Sequence, residues 1–169
     1  MNKTFIYTDG ACKRNPGPGG YGVVLHQNGE ETILSSGFRL TTNNRMEMLA
    51  AIAGLEALKS ACAVTITSDS KYLVDGITKG WARTWRRKNW VKSDGKKALN
   101  PDLWSRLIDL CDQHQVTFVW VRGHAGHPEN ERCDLLATTA AAGEGLPVDE
   151  GYAPAPVYTD LFGAVIKGN

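Results

Sequence analysis

The chain has 169 residues, with 19 Lys or Arg against 18 Asp or Glu and a net charge of +1. That is one domain's worth of chain, long enough to bury a core without disulfide staples, and its charge balance excludes a globally basic or acidic protein. No apolar run reaches the roughly 20 residues of a membrane span, and the N-terminus turns polar too soon for a secretory signal, so no membrane partner and a cytoplasmic location are expected.

Lys3 to Thr8 reads as a strand ending at Asp9-Gly10. The turn Asn15-Pro16-Gly17-Pro18-Gly19-Gly20 joins it to a second strand, Tyr21 to His26, and Asn28-Gly29 signals a hairpin into a third, Thr32 to Arg39. The opening is thus an antiparallel meander. Met46, Leu49, Ala50, Ala53 and Ala57 then fall at helical spacing, with Asn44 and Glu47 matching a capping box. Val64 to Ser68 is a short strand ending at Asp69, and Ser70 to Thr78 starts a second helix. Asn100-Pro101-Asp102 opens another, expected to run to about Asp112. Val116 to Val121 is the last strand, and Pro128 opens a final helix closing in Ala140-Ala141-Ala142-Gly143. This order implies an α/β domain with a mixed sheet and helices on its faces. The last 27 residues, from Gly143, hold five Gly and three Pro and show no periodicity. They read as an appendage, anchored through Tyr152, Tyr158 or Phe162, or as a tail for a partner that the sequence leaves unknown.

The four cysteines (Cys12, Cys62, Cys111, Cys133) form no CxxC pair and are expected to be reduced and mostly buried. Charge is unevenly spread. Between Lys79 and Lys97 stand eight basic residues and a single acid, Asp94, so this segment carries +7 and the rest of the chain −6. A polyanion would therefore bind at one end of the molecule. Trp81, Trp85 and Trp90 interleave with the charges. Trp85 and Trp90 read as anchors to the core and Trp81 as the outward contact.

Asp9 and Asp69 both stand where a predicted strand stops, the place where ligands gather in α/β sheets. Each has an ordinary alternative: Asp9 as a turn acid, Asp69 as a helix cap, Glu47 as the partner in a capping box, and Asp134 as a solvated edge of the last helix. Together they have a chemical purpose. Four carboxylates in one cleft carry −4, which two Mg²⁺ ions would balance. Such pairs, roughly 3.5–4 Å apart, activate a water and stabilise a departing oxygen in phosphodiester cleavage. A zinc site from His124, His127 and Cys133 is the rival, but its spacing fits no common zinc pattern.

Ile6-Tyr7-Thr8-Asp9-Gly10-Ala11-Cys12, Asn15-Pro16-Gly17-Pro18-Gly19-Gly20-Tyr21-Gly22 and Thr41-Thr42-Asn43-Asn44-Arg45-Met46-Glu47 resemble successive motifs of the bacterial ribonuclease HI family. Ser68-Asp69-Ser70-Lys71-Tyr72 and Val121-Arg122-Gly123-His124-Ala125-Gly126-His127-Pro128-Glu129-Asn130-Glu131-Arg132-Cys133-Asp134 complete the set. The resemblance implies a ribonuclease H-like mixed five-stranded sheet, an antiparallel meander followed by two further strands, flanked by helices and bearing a basic handle. It divides the chain into a catalytic domain, 1–142, with the handle at about 79–100, and an extension, 143–169. It implies a metal-dependent endonuclease that cuts the RNA strand of an RNA–DNA hybrid, leaving 5′-phosphate and 3′-hydroxyl ends, and that removes primers and stray hybrids. The protein would act as a monomer with no obligate protein partner. Asp9, Glu47, Asp69 and Asp134 would hold two Mg²⁺, with Mn²⁺ as a substitute, and His124 would assist from a mobile loop.

Nucleic-acid contacts follow the same resemblance. Cys12, Asn15, Asn43 and Asn44 would line the minor groove beside the RNA strand, where the 2′-hydroxyl tells RNA from DNA. Thr42 and Asn15 would hold a phosphate of the DNA strand, Trp81 would pack on deoxyribose, and Arg86, Arg87 and Lys88 would meet phosphates. The chain departs from the family pattern at Lys13-Arg14, at Thr84, at Leu135 and at Lys71, which stands for a common glutamine and could reach a phosphate instead. Competing readings are a non-catalytic hybrid-binding module, a DNA-directed nuclease of the same fold, and a metal-free ribonuclease using paired histidines.

Overall fold

The computed structural model describes residues 3–154, 158–159 and 161–166. Strands β1 (Lys3–Cys12), β2 (Gly17–Gln27) and β3 (Glu30–Thr41) form the expected meander. Asn28 and Gly29, at φ 54° and 78°, make the tight turn between β2 and β3, a left-handed pair that Asn and Gly tolerate best. Helix α1 (Asn43–Glu56) leads to β4 (Ala63–Ser68), which pairs parallel to β1. Helices α2 (Lys71–Thr78), α3 (Trp81–Arg87) and α4 (Pro101–Gln113) precede β5 (Gln115–Trp120), and α5 (Pro128–Ala141) follows it. The five strands run in the order β3-β2-β1-β4-β5. Tyr158–Thr159 (β6) and Val165–Ile166 (β7) pair as a separate small hairpin.

Alternation along the central strands divides the helices between two faces. Val23 meets α1 at Gly54, whereas its neighbour Gly22 meets α5 at Cys133 and Leu136. The larger core lies on the α1 side: Ile6, Val23, Val64 and Ile66 pack under Met48, Ile52 and Leu55 of α1 and Leu107 and Ile108 of α4. Trp104 is fully buried, its indole N–H donating to Tyr72 Oη at 3.1 Å. On the opposite face the contact is tight because side chains are small. A Cβ on Gly22 would lie 2.4 Å from the Cys133 carbonyl oxygen, so α5 can press its Ala137 and Ala141 onto the sheet only over glycine.

Trp85 and Trp90 are half-buried against the core, as expected, and Trp81 is 43% exposed. Cys62, Cys111 and Cys133 are buried, Cys12 is half-buried, and all four are free thiols. No described helix is long and apolar enough to cross a membrane.

The expected end of β1 at Thr8 is corrected, since the strand continues to Cys12. Beyond Tyr7 it loses β4 as a ladder partner but keeps the antiparallel ladder to β2, ending at Cys12 opposite Gly19. The capping box at Asn44 is corrected as well. Thr42, extended at φ −127° and ψ 159°, caps α1 by accepting from Arg45 N–H at 3.2 Å. Asn43 and Asn44 are therefore already helical, and Glu47 falls in the second turn, turned inward.

Candidate active site

The parallel register of β1 and β4 ends at Tyr7 opposite Thr67, so two further residues on each strand carry Asp9 and Asp69 to the same level. There the two strands part and open a crevice at their carboxyl ends. Asp69 does not cap α2. That role belongs to Ser70, whose Oγ accepts from Leu73 N–H at 3.2 Å, leaving the Asp69 carboxylate uncommitted. Glu47 reaches the crevice from α1, and only because α1 lies almost on β1. A Cβ on Gly10 would come within 2.5 Å of Glu47 N.

Asp9, Glu47 and Asp69 each offer an oxygen such that all three atoms lie within 4.8 Å of one another. Asp9 is 5% and Glu47 8% exposed. Burial, then the charge of Asp69, pushes the Asp9 carboxyl up to about 7, although Glu47 and Gly10 N–H hydrogen-bond to it. Burial, then the charges of Asp9 and Asp69, raise Glu47 well above the carboxylate range. Burial and neighbouring negative charge thus disfavour the ionised form of both carboxyls. Glu47 Oε2 is buried with no hydrogen-bond partner, a position that costs free energy unless a cation meets it.

Asp134, half-buried on α5, and His124, on the exposed loop between β5 and α5, face the same cleft of about 350 Å³. Asp134 stands outside the 4.8 Å group but close enough for its charge to add to the upward push on Asp9. His124 adopts φ 53°, a left-handed turn that sets it apart from the helix start at Pro128. Among the described residues no cluster of three potential ligands includes His124, His127 and Cys133, and Cys133 is fully buried while both histidines are exposed.

Asn43, Asn44 and Lys71 line the acidic cleft. Asn15 accepts from Asn43 N–H at 3.2 Å and, with Thr42 and Asn44, borders a neighbouring groove of about 620 Å³. Cys12, at the end of β1, lines neither. Along the basic segment, Lys79 Nζ lies 5.2 Å over the Trp81 ring. Arg86 donates to Asp109 at 2.8 Å, whereas Arg87 and Lys88 are exposed without a carboxylate partner among the described residues.

Two features beside the site were not read from the sequence. Arg45, 1% exposed, donates to both oxygens of Asp102 (2.9 and 2.7 Å) and, through Nε, to Asp149 Oδ2 at 2.7 Å. Thr41 Oγ1 donates to the same Asp149 oxygen, and Arg45 lies 5.9 Å over the Tyr152 ring. The anchoring contact expected of Tyr152 is present; the Tyr158 side chain lies outside the described residues, and Phe162 is 95% exposed. Asp149 gave no signal, because 104 residues separate it from Arg45. The second feature is Trp120, at the end of β5, whose indole N–H donates to the Asp69 carbonyl at 2.9 Å.

A family model described as RNase H matches residues 1–142. The chain is 62% identical over 152 residues to a ribonuclease H of Syntrophus aciditrophicus, covering 90% of this chain and 88% of that one. It is 51% identical over 152 residues to ribonuclease HI of Synechocystis, covering 89% and 95%. Among solved structures, LC9-RNase H1, a type 1 RNase H with the type 2 active-site motif, superposes with a TM-score of 0.74 at 33% identity, covering 89% of this chain and 79% of that chain. RNase H1 from Halobacterium salinarum gives 0.62 at 26%, covering 82% and 96%.

Proposed function

The chain belongs to the RNase H family and hydrolyses the RNA strand of RNA–DNA hybrids, and on that premise we propose that Asp9, Glu47, Asp69 and Asp134 hold its metal ions, two Mg²⁺ for which Mn²⁺ can substitute. The observation that carries this reading is the trio of carboxylate oxygens within 4.8 Å, with Glu47 Oε2 buried and unpartnered. The donor set fits a hard divalent ion, being all oxygen and unbalanced by any basic group in the trio. When bound, such ions supply the positive charge that activates water and stabilises the departing 3′-oxygen.

The chain's own residues do the rest. Asp9 and Glu47, whose ionisation is opposed by burial and the charge of Asp69, would offer their oxygens to a cation that offsets that charge. Asn43 and Asn44, exposed at the start of α1, offer amides to 2′-hydroxyls at the cleft edge. Asn15 and Thr42 take a phosphate of the DNA strand in the adjoining groove. His124, exposed across the cleft, moves a proton near the scissile phosphate or helps product leave. Trp81, Arg87 and Lys88 meet the duplex outside the cleft, with Cys12 and Arg86 in supporting positions. Residues 1–142 form the catalytic domain and 143–169 an extension. The protein acts as a cytoplasmic monomer that clears primers and stray hybrids, cutting to leave 5′-phosphate and 3′-hydroxyl ends.

The test is cleavage of matched RNA–DNA hybrid, duplex RNA, duplex DNA and single-stranded RNA, with and without EDTA. Only the hybrid is expected to be cut, only in its RNA strand and only without chelator. Cleavage that persists in EDTA would remove the metal assignment.

A further inference from the structure

We propose that Trp120 is a positioning residue that sets both Asp69 and Lys71, one through its ring N–H and the other through its ring face. Trp120 ends β5, paired in register with Ser68 of β4, so its side chain stands beside the stretch where β4 gives way to α2. The indole N–H donates to the Asp69 carbonyl at 2.9 Å. Two residues on, Lys71 Nζ lies 4.8 Å from the centre of the same ring. One side chain therefore grips the backbone of a proposed metal ligand and parks a cation at the rim of the acidic cleft.

Packing does not account for this tryptophan, since it is 42% exposed and absent from the main core cluster. Its contacts are directional instead. Asp69 lies beyond the last β1–β4 pair, where its carbonyl has left that ladder, and the indole holds it to β5. On the far side Gly123 leaves room for the carboxylate; a Cβ there would lie 2.6 Å from Asp69 Oδ2. Lys71 would otherwise carry a freely rotating ammonium next to three carboxylates and could fold inward to compete for them. The ring face restrains it at the rim, where its charge meets an RNA phosphate rather than the site's own acids. The lysine where the family commonly has glutamine thus turns an amide position into an ionic one.

This rests on the hybrid-cleaving reading, and the test separates the two. Trp120→Phe keeps a ring face for Lys71 but removes the N–H, whereas Lys71→Gln removes the charge and leaves the N–H bond. Steady-state cleavage of a hybrid is measured across a salt series, with thermal unfolding as a control for folding. Trp120→Phe is expected to lower kcat about tenfold, the equivalent of one well-aligned hydrogen bond, with KM and its salt dependence retained. Lys71→Gln is expected to act on KM, reducing the slope of log KM against log salt by about 1. Trp120→Leu should show both effects. Wild-type kcat in Trp120→Phe, or a wild-type salt slope in Lys71→Gln, overturns the proposal while wild-type cleavage still upholds the hybrid reading. An inactive wild-type protein would sink that reading instead.

Discussion

Asp9 concentrates the conflict between folding and function. Its carboxyl, pushed up to about 7 against an ordinary value near 4, is ionised in the unfolded chain over a pH range in which the folded chain holds it protonated. A raised folded-state pKa gives stability that is complete below the unfolded value and is lost as pH rises through the folded one. Without metal, stability is therefore expected to fall between about pH 4 and 7. Asp9→Asn removes a charge that burial and Asp69 oppose. It should raise metal-free stability by about 2 kcal/mol at pH 8, roughly 4–8 °C in Tm for a chain this size, and flatten the pH slope. The same change should cut hybrid turnover by about a thousandfold or more. Thermal melts in EDTA at pH 5 and 8 check the first expectation, and melts with added Mg²⁺ should stabilise the wild type but not the variant. Equal responses to Mg²⁺ would mean that Asp9 is not a ligand.

Elements place these residues, and the least regular one has a specific structural part. Between Pro147 and Tyr152 the chain, which left α5 at Ala141, crosses back to the start of α1, with Arg39 N–H donating to the Pro147 carbonyl at 3.0 Å. Asp149, 3% exposed, then closes on Arg45. Buried ion pairs add little when complete but cost several kcal/mol when half is removed, because a desolvated charge is left behind. Asp149→Ala should destabilise the protein by about 3 kcal/mol, read as a lower urea midpoint. Asp102→Ala should cost less, since its side chain is 36% exposed and water can replace it. Similar midpoints for the two variants would show that Asp149 is no more important than a surface partner. The helix starts repeat this lesson. Thr42 and Ser70 took the caps, and the acids suspected of capping were thereby left for the cleft.

At the scale of the whole molecule the decisive property is the separation of charge. The +7 segment rides on α3 and the loop after it, anchored by Trp85 and Trp90 to a body carrying −6. Neutralising Arg87 and Lys88 together should raise KM and lower its salt slope by about 2. Arg86→Gln should change the slope less, because Asp109 already holds that guanidinium. KM measured across a salt series tests both, and equal slopes for all variants would reduce the segment to a solvated surface.

Much of this was legible in one dimension. The meander, the helix opened by Pro101 and the burial of Trp85 follow from alternation, turn chemistry and helical spacing, all properties of neighbouring residues. The basic segment is a matter of composition, and the motif order marks the family by resemblance. That Asp9, Glu47, Asp69 and Asp134 meet was implied by the family resemblance. Tertiary structure decided that the first three bring oxygens within 4.8 Å while Asp134, in the same cleft, stands outside that group. It also decided that Asp149 seals Arg45, and that Trp120 reaches Asp69. Each of these joins residues tens to a hundred positions apart. Their meeting is fixed by sheet register and by how closely helices approach over Gly10 and Gly22, and local pattern carries no record of either distance.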